Sequence, residues 1–358
     1  MKRMLAAVFY GINDVRVEER DIPTPGPGEV VIKVKACAVC GTDLRIIRNG
    51  HKAVKPPAVI GHEIAGIVAA IDKGAKGIYE GDSVIIVTPV GCGNCRLCKA
   101  GYQNMCDLVS KGTHSLGYYC DGGFSEYMRI PAEAVTNGNL IKFDYDGLVS
   151  WEELSLIEPF SCVINGQKFL RIIQGETVAI FGCGAIGCMH AYLARYYGAS
   201  NIIMIDINKS RIEMVSKLGI ADSLILSTEQ DVKSEISRLI RGAGVDSAIV
   251  ACSSAEAQRA AFEVSGIRSK ISLFAGVPAQ DRMVQIDTND IHYLEKSVFG
   301  AFASAHHQYR EALDLIVDKK ISLKKLISRV MPLEKFNEAM ELFQSGGALK
   351  VVIRPDGG

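Results

Sequence analysis

The feature that most constrains the fold is a glycine-rich turn between an apolar segment and a helical pattern. Residues 177–181 read TVAIF, the turn Gly182-Cys-Gly-Ala-Ile-Gly187 follows, and residues 185–198 have the pattern of a helix. In this context, GxGxxG permits a tight turn at Gly182, close approach of a pyrophosphate at Gly184 and close helix–strand packing at Gly187. An isolated glycine-rich turn is the alternative. The flanking segments favour a dinucleotide-binding unit in which the helix N-terminus offers N–H groups to the phosphates.

The alternation of strand and helix continues beyond this turn. Residues 201–205 predict a second strand and residues 209–218 a second helix, and the pattern persists to about residue 276. Such alternation predicts a doubly wound α/β domain, a parallel sheet with helices on both faces. Asp206 ends the second strand, nineteen residues after Gly187. It is therefore placed to accept hydrogen bonds from the adenosine ribose hydroxyls.

The N-terminal part of the chain has a different texture. Short β-rich segments are separated by Gly, Pro and Asn turns, which predicts an irregular antiparallel barrel without a long amphipathic helix. The segments span residues 30–38, 66–71, 83–87 and 124–130, and a first strand is predicted within residues 1–15. Beyond residue 301, two helices (309–317 and 333–344) and a strand (349–353) are predicted. At 358 residues, the chain is long enough for two domains.

Charge and hydropathy exclude several classes of partner. Forty Lys and Arg balance forty Asp and Glu without a block of like charge, which argues against binding to nucleic acid or to an anionic membrane. The most apolar stretch, residues 177–197, contains His190 and Arg195, so a buried strand–turn–helix fits better than a membrane span. The start of the chain lacks a signal-peptide cleavage pattern. A cytoplasmic protein with a small-molecule partner is expected.

Four of the eleven cysteines form one cluster, at Cys92, Cys95, Cys98 and Cys106. Four thiolates at short spacings can surround a tetrahedral zinc with no open position, which is typical of a structural site. An iron–sulfur cluster or four unrelated thiols are the alternatives. Outside this cluster and Cys40, the cysteines are expected to be buried free thiols: Cys37, Cys120, Cys162, Cys183, Cys188 and Cys252.

A second metal site is suggested by three scattered residues. Cys40 lies in CGTD, His62 in GHE and Glu158 in LIEP. Singly, each is more typical of a core or surface residue. Together they provide three competent zinc ligands, and three protein ligands with one open position is the pattern of a catalytic zinc.

In these residues the chain resembles the zinc-dependent medium-chain dehydrogenases/reductases, in the branch with sorbitol and threonine dehydrogenases. The resemblance covers nearly the whole chain. It rests on segments in a fixed order: Cys40–Asp43, Gly61–Glu63, Gly81-Asp82, the four-cysteine lobe, Asp121–Tyr127, Glu158-Pro159, the glycine-rich turn and Asp206–Arg211.

The resemblance implies a two-domain α/β fold. Residues 1–159 would form a GroES-like β-barrel catalytic domain, with the structural zinc lobe at about 91–107. Residues 160–300 would form a Rossmann NAD-binding domain, and residues 301–358 would return to the catalytic domain. Two zinc ions per chain, a catalytic zinc in the cleft between the domains, and a homotetramer or homodimer are also implied.

Individual roles follow from the same resemblance. Cys40, His62 and Glu158 match the ligands of the catalytic zinc, and Glu63 matches a carboxylate that approaches it directly or through water. Asp43 would orient the ligand histidine, and Thr42 would take the substrate proton. Seven residues match the family's cofactor-binding positions: Gly182, Gly184, Ala185, Ile186, Gly187, Asp206 and Arg211.

One position departs from the family pattern. Many members have a histidine five residues after the first ligand cysteine, where it passes the proton to solvent, and this chain has Arg45. An arginine does not titrate near neutral pH, which puts this exit in doubt. His51 is the nearest downstream histidine, although it lies outside the motif.

The expected reaction is the zinc-dependent transfer of hydride from a secondary alcohol of polyol type to NAD, which gives a ketone. Threonine, a sugar phosphate or an aminocyclitol remain alternative substrates, and a catalytically silent relative is the alternative of another class. NAD is expected over NADP because the Asp206 carboxylate would repel a 2′-phosphate, although Lys209 and Arg211 lie nearby.

Overall fold

A computed structural model describes residues 2–356, and the chain divides into two compact units. The first unit comprises Met1–Ser161 and Ala303–Gly358, and the second comprises Cys162–Phe302. Among the described residues, no helix is both long enough and apolar enough to cross a membrane.

The elements follow one another along the chain in three groups. The first group is β1 (Arg3–Gly11), β2 (Asp14–Asp21), β3 (Val30–Ala38), α1 (Gly41–Asn49), β4 (Ala58–Val59), β5 (Glu63–Ile71), β6 (Ser83–Ile86), α2 (Arg96–Lys99), α3 (Asp107–Ser110), β7 (Tyr127–Ile130), α4 (Ala132–Thr136), β8 (Leu140–Phe143), α5 (Trp151–Ser155) and α6 (Ile157–Gln167). The second group is β9 (Thr177–Phe181), α7 (Ala185–Tyr196), β10 (Asn201–Asp206), α8 (Lys209–Leu218), β11 (Ser223–Leu226), α9 (Val232–Leu239), β12 (Val245–Val250), α10 (Ala255–Val264), β13 (Ser265–Leu273), α11 (Thr288–Tyr293) and β14 (Ser297–Gly300). The third group is α12 (His306–Val317), β15 (Ile327–Pro332), α13 (Phe336–Gln344) and β16 (Lys350–Arg354).

The first unit is built on two sheets. The larger has the strand order β15-β16-β3-β5-β6-β8 with β7 paired to β3, and the smaller has the order β2-β1-β4. Register shifts between β3 and β5 mark irregular pairing, which bends a sheet as a barrel requires. Gly66 of β5 is needed at the crossing, because a Cβ there would lie 2.5 Å from the Lys33 carbonyl oxygen. The Phe124 and Phe336 rings meet edge to face at 4.8 Å, so α13 closes the same core.

The register of β3 against β5 determines where polar residues meet. Ala38 is paired with Glu63, so the chain leaves β3 toward Cys40 at the point where His62 leads into β5. α1 begins directly after Cys40. Cys40 and Asp43 together cap its N-terminus, and Asp43 Oδ2 accepts from the Cys40 N–H at 2.9 Å. Ordinary strand pairing therefore brings two distant segments together.

The second unit is a parallel sheet with the strand order β11-β10-β9-β12-β13-β14. Counted along the chain, this is the 3-2-1-4-5-6 order of a doubly wound dinucleotide fold. Its central strands are buried almost throughout, as their continuous apolar sequences predict. The α/β class with a GroES-like unit and a Rossmann-type unit is confirmed.

Some elements differ from the sequence prediction. The alternation was expected to end near residue 276, yet α11 and β14 follow, and β14 adds an edge strand. Its sequence, SVFG, is too short to show a period. α1 was also unforeseen, because only nine residues form it, although the Cys40 and Asp43 cap signals its start. The predicted helix 333–344 begins as a 3₁₀ turn at Leu333–Lys335 before α13.

Candidate functional site

Three candidate metal ligands converge in the first unit. The Cys40 sulfur, an imidazole nitrogen of His62 and a carboxylate oxygen of Glu63 all lie within 4.8 Å of one another. His62 is 5% exposed and Glu63 is fully buried, so water competes little for these atoms. A thiolate, an imidazole and a carboxylate are the donor types that zinc takes in catalytic sites. The group therefore fits a zinc ion.

Asp43 holds two of these residues in place. Its Oδ1 lies 3.3 Å from His62 Nδ1, while its Oδ2 accepts from the Cys40 backbone. Asp43 itself is fully buried. A carboxylate on one ring nitrogen fixes the histidine tautomer and leaves Nε2 as the donor atom for a metal. Asp43 therefore lies next to His62, and its role in orienting that ring, which the family resemblance implies, stays a prediction.

Glu63 has a second partner that sequence reasoning missed. Lys350, the first residue of β16, donates to Glu63 Oε1 at 2.6 Å and to the Val39 carbonyl at 3.0 Å. Burial alone would lower the pKa of Lys350, but the facing carboxylate raises it above its usual value, so the side chain stays cationic. The sequence does contain one signal of this contact, a single lysine in an apolar strand. A buried charge needs a counter-charge, so such a lysine predicts an acidic partner.

Glu158 lies in the first turn of α6, outside the group formed by Cys40, His62 and Glu63. The Tyr309 hydroxyl is 3.5 Å from Glu158 Oε1 and accepts from the Thr88 N–H at 3.2 Å. Burial raises the pKa of Glu158 to about 7, opposed by His62. The sequence analysis did not identify Tyr309 or Thr88, which carry no local motif.

Thr42 and Arg45 lie one turn apart on α1. The Thr42 N–H donates to the Cys40 sulfur at 3.5 Å, and Arg45 Nη2 donates to the Thr42 hydroxyl at 2.9 Å. His51 is engaged elsewhere, since its Nδ1 accepts from the Ala53 N–H at 3.2 Å. Arg45, which stands where the family pattern has a histidine, therefore donates to the Thr42 hydroxyl.

The four-cysteine lobe is assembled by short helical turns. Cys95 caps α2, Cys98 lies within α2 and Cys106 precedes α3. The four sulfurs, with that of Cys92, lie within 4.8 Å of one another. Zinc–sulfur bonds of about 2.3 Å would place them roughly 3.8 Å apart, so a tetrahedral ion fits with little movement.

The thiols of this lobe differ in acidity. Backbone N–H groups of Asn94 and Cys95 lower the pKa of Cys92 to about 6, whereas burial raises the pKa of Cys98 to about 12. When thiols lie this close together, ionisation of one disfavours ionisation of its neighbours. A low pKa for one thiol and a high pKa for another are therefore expected. A divalent cation would favour the thiolate form of all four.

In the second unit, the backbone requires two glycines of the turn, and the third lies beside open space. Gly182 has φ +116°, which side chains rarely adopt, and a Cβ on Gly187 would collide with the Gly182 carbonyl. A Cβ on Gly184 would meet nothing within 4 Å, which leaves open space at the N-terminus of α7. Ala185 and Ile186 form the first turn of α7 behind it. This arrangement suits the close approach of a pyrophosphate.

Asp206 ties this turn to the end of β10. Its Oδ2 accepts from the Cys183 N–H at 2.7 Å and its Oδ1 accepts from the Asn208 N–H at 2.8 Å. Each carboxylate oxygen keeps a further lone pair for a ligand hydroxyl. Arg211, in the first turn of α8, is near enough to the turn to oppose the raised pKa of Cys183. The turn, Asp206 and Arg211 thus form one group.

Comparisons with known proteins agree with this geometry. The family model "Alcohol dehydrogenase GroES-like domain" matches residues 26–139, and "Zinc-binding dehydrogenase" matches residues 185–318. A sorbitol dehydrogenase of Bacillus subtilis is 30% identical over 361 residues, covering 99% of this chain and 98% of its own. An L-threonine 3-dehydrogenase of Pyrococcus horikoshii is 31% identical over 350 residues, covering 96% and 95%. A solved zinc-binding dehydrogenase of Sinorhizobium meliloti bound to NADP has a TM-score of 0.86 at 27% identity, covering 99% and 100%.

Proposed function

The chain belongs to the zinc-dependent alcohol dehydrogenase family, and on this premise we propose that it oxidises a secondary hydroxyl of a polyol-like substrate to a ketone, with NAD as the hydride acceptor. The observation that carries the proposal is the group of Cys40, His62 and Glu63, whose donor atoms lie within 4.8 Å of one another. We assign residues 1–159 and 301–358 to catalysis and residues 160–300 to cofactor binding.

A bound zinc would supply a Lewis acid that lowers the pKa of a substrate hydroxyl, and NAD would supply the hydride acceptor. Cys40, His62 and Glu158 are the proposed ligands, with Glu63 close by. Asp43 keeps His62 oriented through the 3.3 Å contact at Nδ1. The Tyr309 hydroxyl donates to Glu158 Oε1 at 3.5 Å and would hold that carboxylate in position.

Thr42 is the proposed first acceptor of the substrate proton. Its hydroxyl accepts from Arg45, so its own proton is directed elsewhere and its remaining lone pair is available. Because a guanidinium has no lone pair with which to accept a proton, the proton must pass to water or to another group. Among residues 2–356, no hydrogen bond joins His51 to Thr42, so water is the proposed exit.

The preference for NAD rests on Asp206. The carboxylate is 7% exposed and held by two backbone N–H groups, so it cannot easily turn away from a 2′-phosphate. The S. meliloti relative binds NADP, which makes cofactor choice a matter for measurement. Lys209 is exposed and could bind a 2′-phosphate. The Asp206 carboxylate would still repel that phosphate, because it is held at the glycine-rich turn by the Cys183 N–H.

Two further assignments concern the assembly and its location. β14 is an edge strand with Val298 exposed, and Ile267 of the neighbouring strand β13 is 72% exposed. An open edge with apolar neighbours is a natural surface for a second copy, so we propose a homodimer or homotetramer.

The eleven cysteines are all free of disulfides, which supports the proposal that the protein is cytoplasmic.

The test is a metal and activity assay on protein purified without chelator. We expect about two zinc ions per chain and formation of NADH with members of a panel of polyols, cyclitols and threonine-like amino alcohols. Cys40→Ser should lose one zinc and turnover while it keeps NADH binding, since Cys40 lies outside the cofactor unit. One zinc per chain in the wild type, or normal turnover in the zinc-depleted variant, would refute the proposal.

A further inference from the structure

Basic side chains gather at the C-terminal half of α1 and in the loop that follows. Arg45, Arg48 and Lys52 are exposed, and His51 is half-buried between them. Within residues 2–356, no carboxylate lies within 4.0 Å of the charged atoms of Arg45, Arg48 or Lys52. The chain as a whole is neutral, so this local excess of positive charge is not a consequence of its composition.

The cluster begins at the candidate metal site. Arg45 donates to the Thr42 hydroxyl at 2.9 Å, and Thr42 in turn donates its N–H to the sulfur of Cys40 at 3.5 Å. Two contacts therefore connect the guanidinium to a proposed zinc ligand. The remaining guanidinium N–H groups stay available, because one Arg carries five donors in a rigid fork.

His51 and Lys52 lie close to the same place. The Tyr118 ring lies between the two histidines, with its centroid 5.4 Å from that of His51 and 5.3 Å from that of His62. A Cβ on Gly112 would lie 3.8 Å from Lys52 Nζ and 4.0 Å from His51 Nε2. Burial lowers the pKa of His51, and the charges of Lys52 and Arg45 lower it further, so these cations face the histidine together.

We propose that this cluster binds an anionic group of the substrate while a hydroxyl of the same molecule reaches the candidate metal site. The inference rests on the proposed dehydrogenase function and narrows it to alcohols that carry a carboxylate or a phosphate, such as aldonates or polyol phosphates. Arg45 is the principal contact, since its planar fork matches both groups. Lys52 adds a second positive charge.

The position of Arg45 favours this assignment over that of a proton carrier. Its charge does not change near neutral pH, so its contribution is electrostatic and directional. Mutually repelling cations without an acidic neighbour gain stability when an anion joins them. Because Arg45 lies 2.9 Å from the Thr42 hydroxyl, a substrate whose hydroxyl reaches the metal site brings a neighbouring anionic group close to the cluster.

The experiment compares substrates of one carbon skeleton on the zinc-loaded enzyme. For each of several polyols, kcat/KM with saturating NAD is measured beside the corresponding aldonate and the terminal phosphate monoester. We expect at least a tenfold preference for one charged form, and the two charged arms identify whether it is the carboxylate or the phosphate. Arg45→Gln should reduce the charged-to-neutral ratio of kcat/KM by ten- to a hundredfold, mainly through KM for the charged substrate. Loss of its hydrogen bond to Thr42 acts on kcat for charged and neutral alcohols alike, so the ratio isolates the contact with the anion.

Arg329→Gln is the matched control, because Arg329 is exposed on the edge strand β15 and its removal deletes the same charge elsewhere in the unit. It should leave the charged-to-neutral ratio unchanged. Equal kcat/KM for charged and neutral members in the wild type would overturn the proposal. So would an Arg45→Gln variant whose KM rises for NAD alone, since the cation would then serve the cofactor.

A binding measurement separates this inference from the proposed function. Sorbitol 6-phosphate and gluconate are added to the zinc-loaded protein without cofactor, and the melting temperature is followed. We expect a rise with one of these probes in the wild type that is lost in Arg45→Gln and retained in Arg329→Gln. Such a rise without turnover of any alcohol would sustain the anion site and refute the dehydrogenase proposal. Turnover of neutral polyols without any rise in melting temperature would support the dehydrogenase proposal and refute the anion site.

Discussion

Lys350 and Glu63 form an ion pair inside the first unit, with side chains 3% and 1% exposed, directly beside two proposed zinc ligands. The lysine also donates to the Val39 carbonyl at 3.0 Å. Neither charge can reach water without the other being left in an apolar environment. The pair therefore joins the last strand of the chain to the metal site.

The first prediction concerns this pair. Lys350→Met should destabilise the protein by about 3–5 kcal/mol, because it leaves the buried Glu63 carboxylate without its counter-charge. The double variant with Glu63→Gln should recover part of the loss, since neither charge then remains. Urea unfolding of the wild type, both single variants and the double variant measures the coupling. Additive effects would mean that the pair contributes no coupling to stability.

The second prediction separates the structural lobe from catalysis. Cys98→Ser should lower the melting temperature and remove one zinc per chain, because metal binding at a closed thiolate site is coupled to folding. Cys120→Ser, which removes a thiol outside both metal groups, is the control and should keep both zinc ions. An unchanged melting temperature in Cys98→Ser would argue against a structural metal.

The third prediction concerns cofactor choice. The wild type should favour NAD over NADP by roughly a hundredfold or more in kcat/KM, because a 2′-phosphate would meet the Asp206 carboxylate. Asp206→Gly with Ile207→Arg should shift the ratio toward NADP by removing that repulsion and adding a cation. Ile207→Arg alone is the control, and it should shift the ratio less. Comparable use of both cofactors by the wild type would show that Asp206 does not select.

The structure adds a cost to that double variant. Asp206 accepts from the N–H groups of Cys183 and Asn208, and glycine offers no acceptor for either. Each lost hydrogen bond of this kind is worth about 0.5–3 kcal/mol. We therefore expect a lower melting temperature together with the altered preference, and cofactor kinetics should be measured well below it.

The fourth prediction is a pH dependence of stability. His190 is fully buried in α7, and burial lowers its pKa to about 3. Gln167 Nε2 lies 3.0 Å from its Nδ1. Below about pH 6.5, the ordinary pKa of histidine, His190 binds a proton in the unfolded chain and stays neutral in the folded chain. The free energy of unfolding therefore falls as the pH falls. Between pH 7.5 and pH 5.0, this should remove about 2 kcal/mol.

His190→Asn tests this directly, because it keeps an acceptor for Gln167 and cannot titrate. The variant should be less stable than the wild type at pH 7.5, yet lose about 2 kcal/mol less between pH 7.5 and pH 5.0. Urea midpoints at several pH values measure both slopes. Parallel slopes would show that His190 is protonated at little cost in the folded protein.

Much of the fold could be predicted because it depends on local patterns. The glycine turn after Phe181 and the strand–helix alternation carry the doubly wound unit, and α8 spans the predicted residues 209–218. The edge strand β14 could not be found in this way, because four residues that are mostly exposed show neither an apolar run nor a period. α1 escaped for a related reason, since it is short and mostly polar.

The candidate site was predictable only where several residue types suited to the same chemistry occur in one sequence, because each of them alone is more typical of a core or surface residue. Cys40, His62 and Glu63 attract notice as possible ligands, and the structure brings their donor atoms together. Lys350 and Tyr309 lie 287 and 151 positions from their partners Glu63 and Glu158, in segments with no motif. Contacts at such separations arise from folding, and sequence spacing carries no trace of them.

The pairing of Ala38 with Glu63 makes metal retention a reporter of strand alignment. A slip of one residue between β3 and β5 would point every side chain of β5 to the opposite face, and His62 would no longer meet Cys40. A molecule with that error could be compact and rich in β-structure, and bulk spectroscopy would count it as folded. Such a molecule would keep the zinc of the four-cysteine lobe and lose the zinc proposed at Cys40, His62 and Glu63. The amount of that second zinc in a preparation would therefore report the fraction of chains whose strands are correctly aligned.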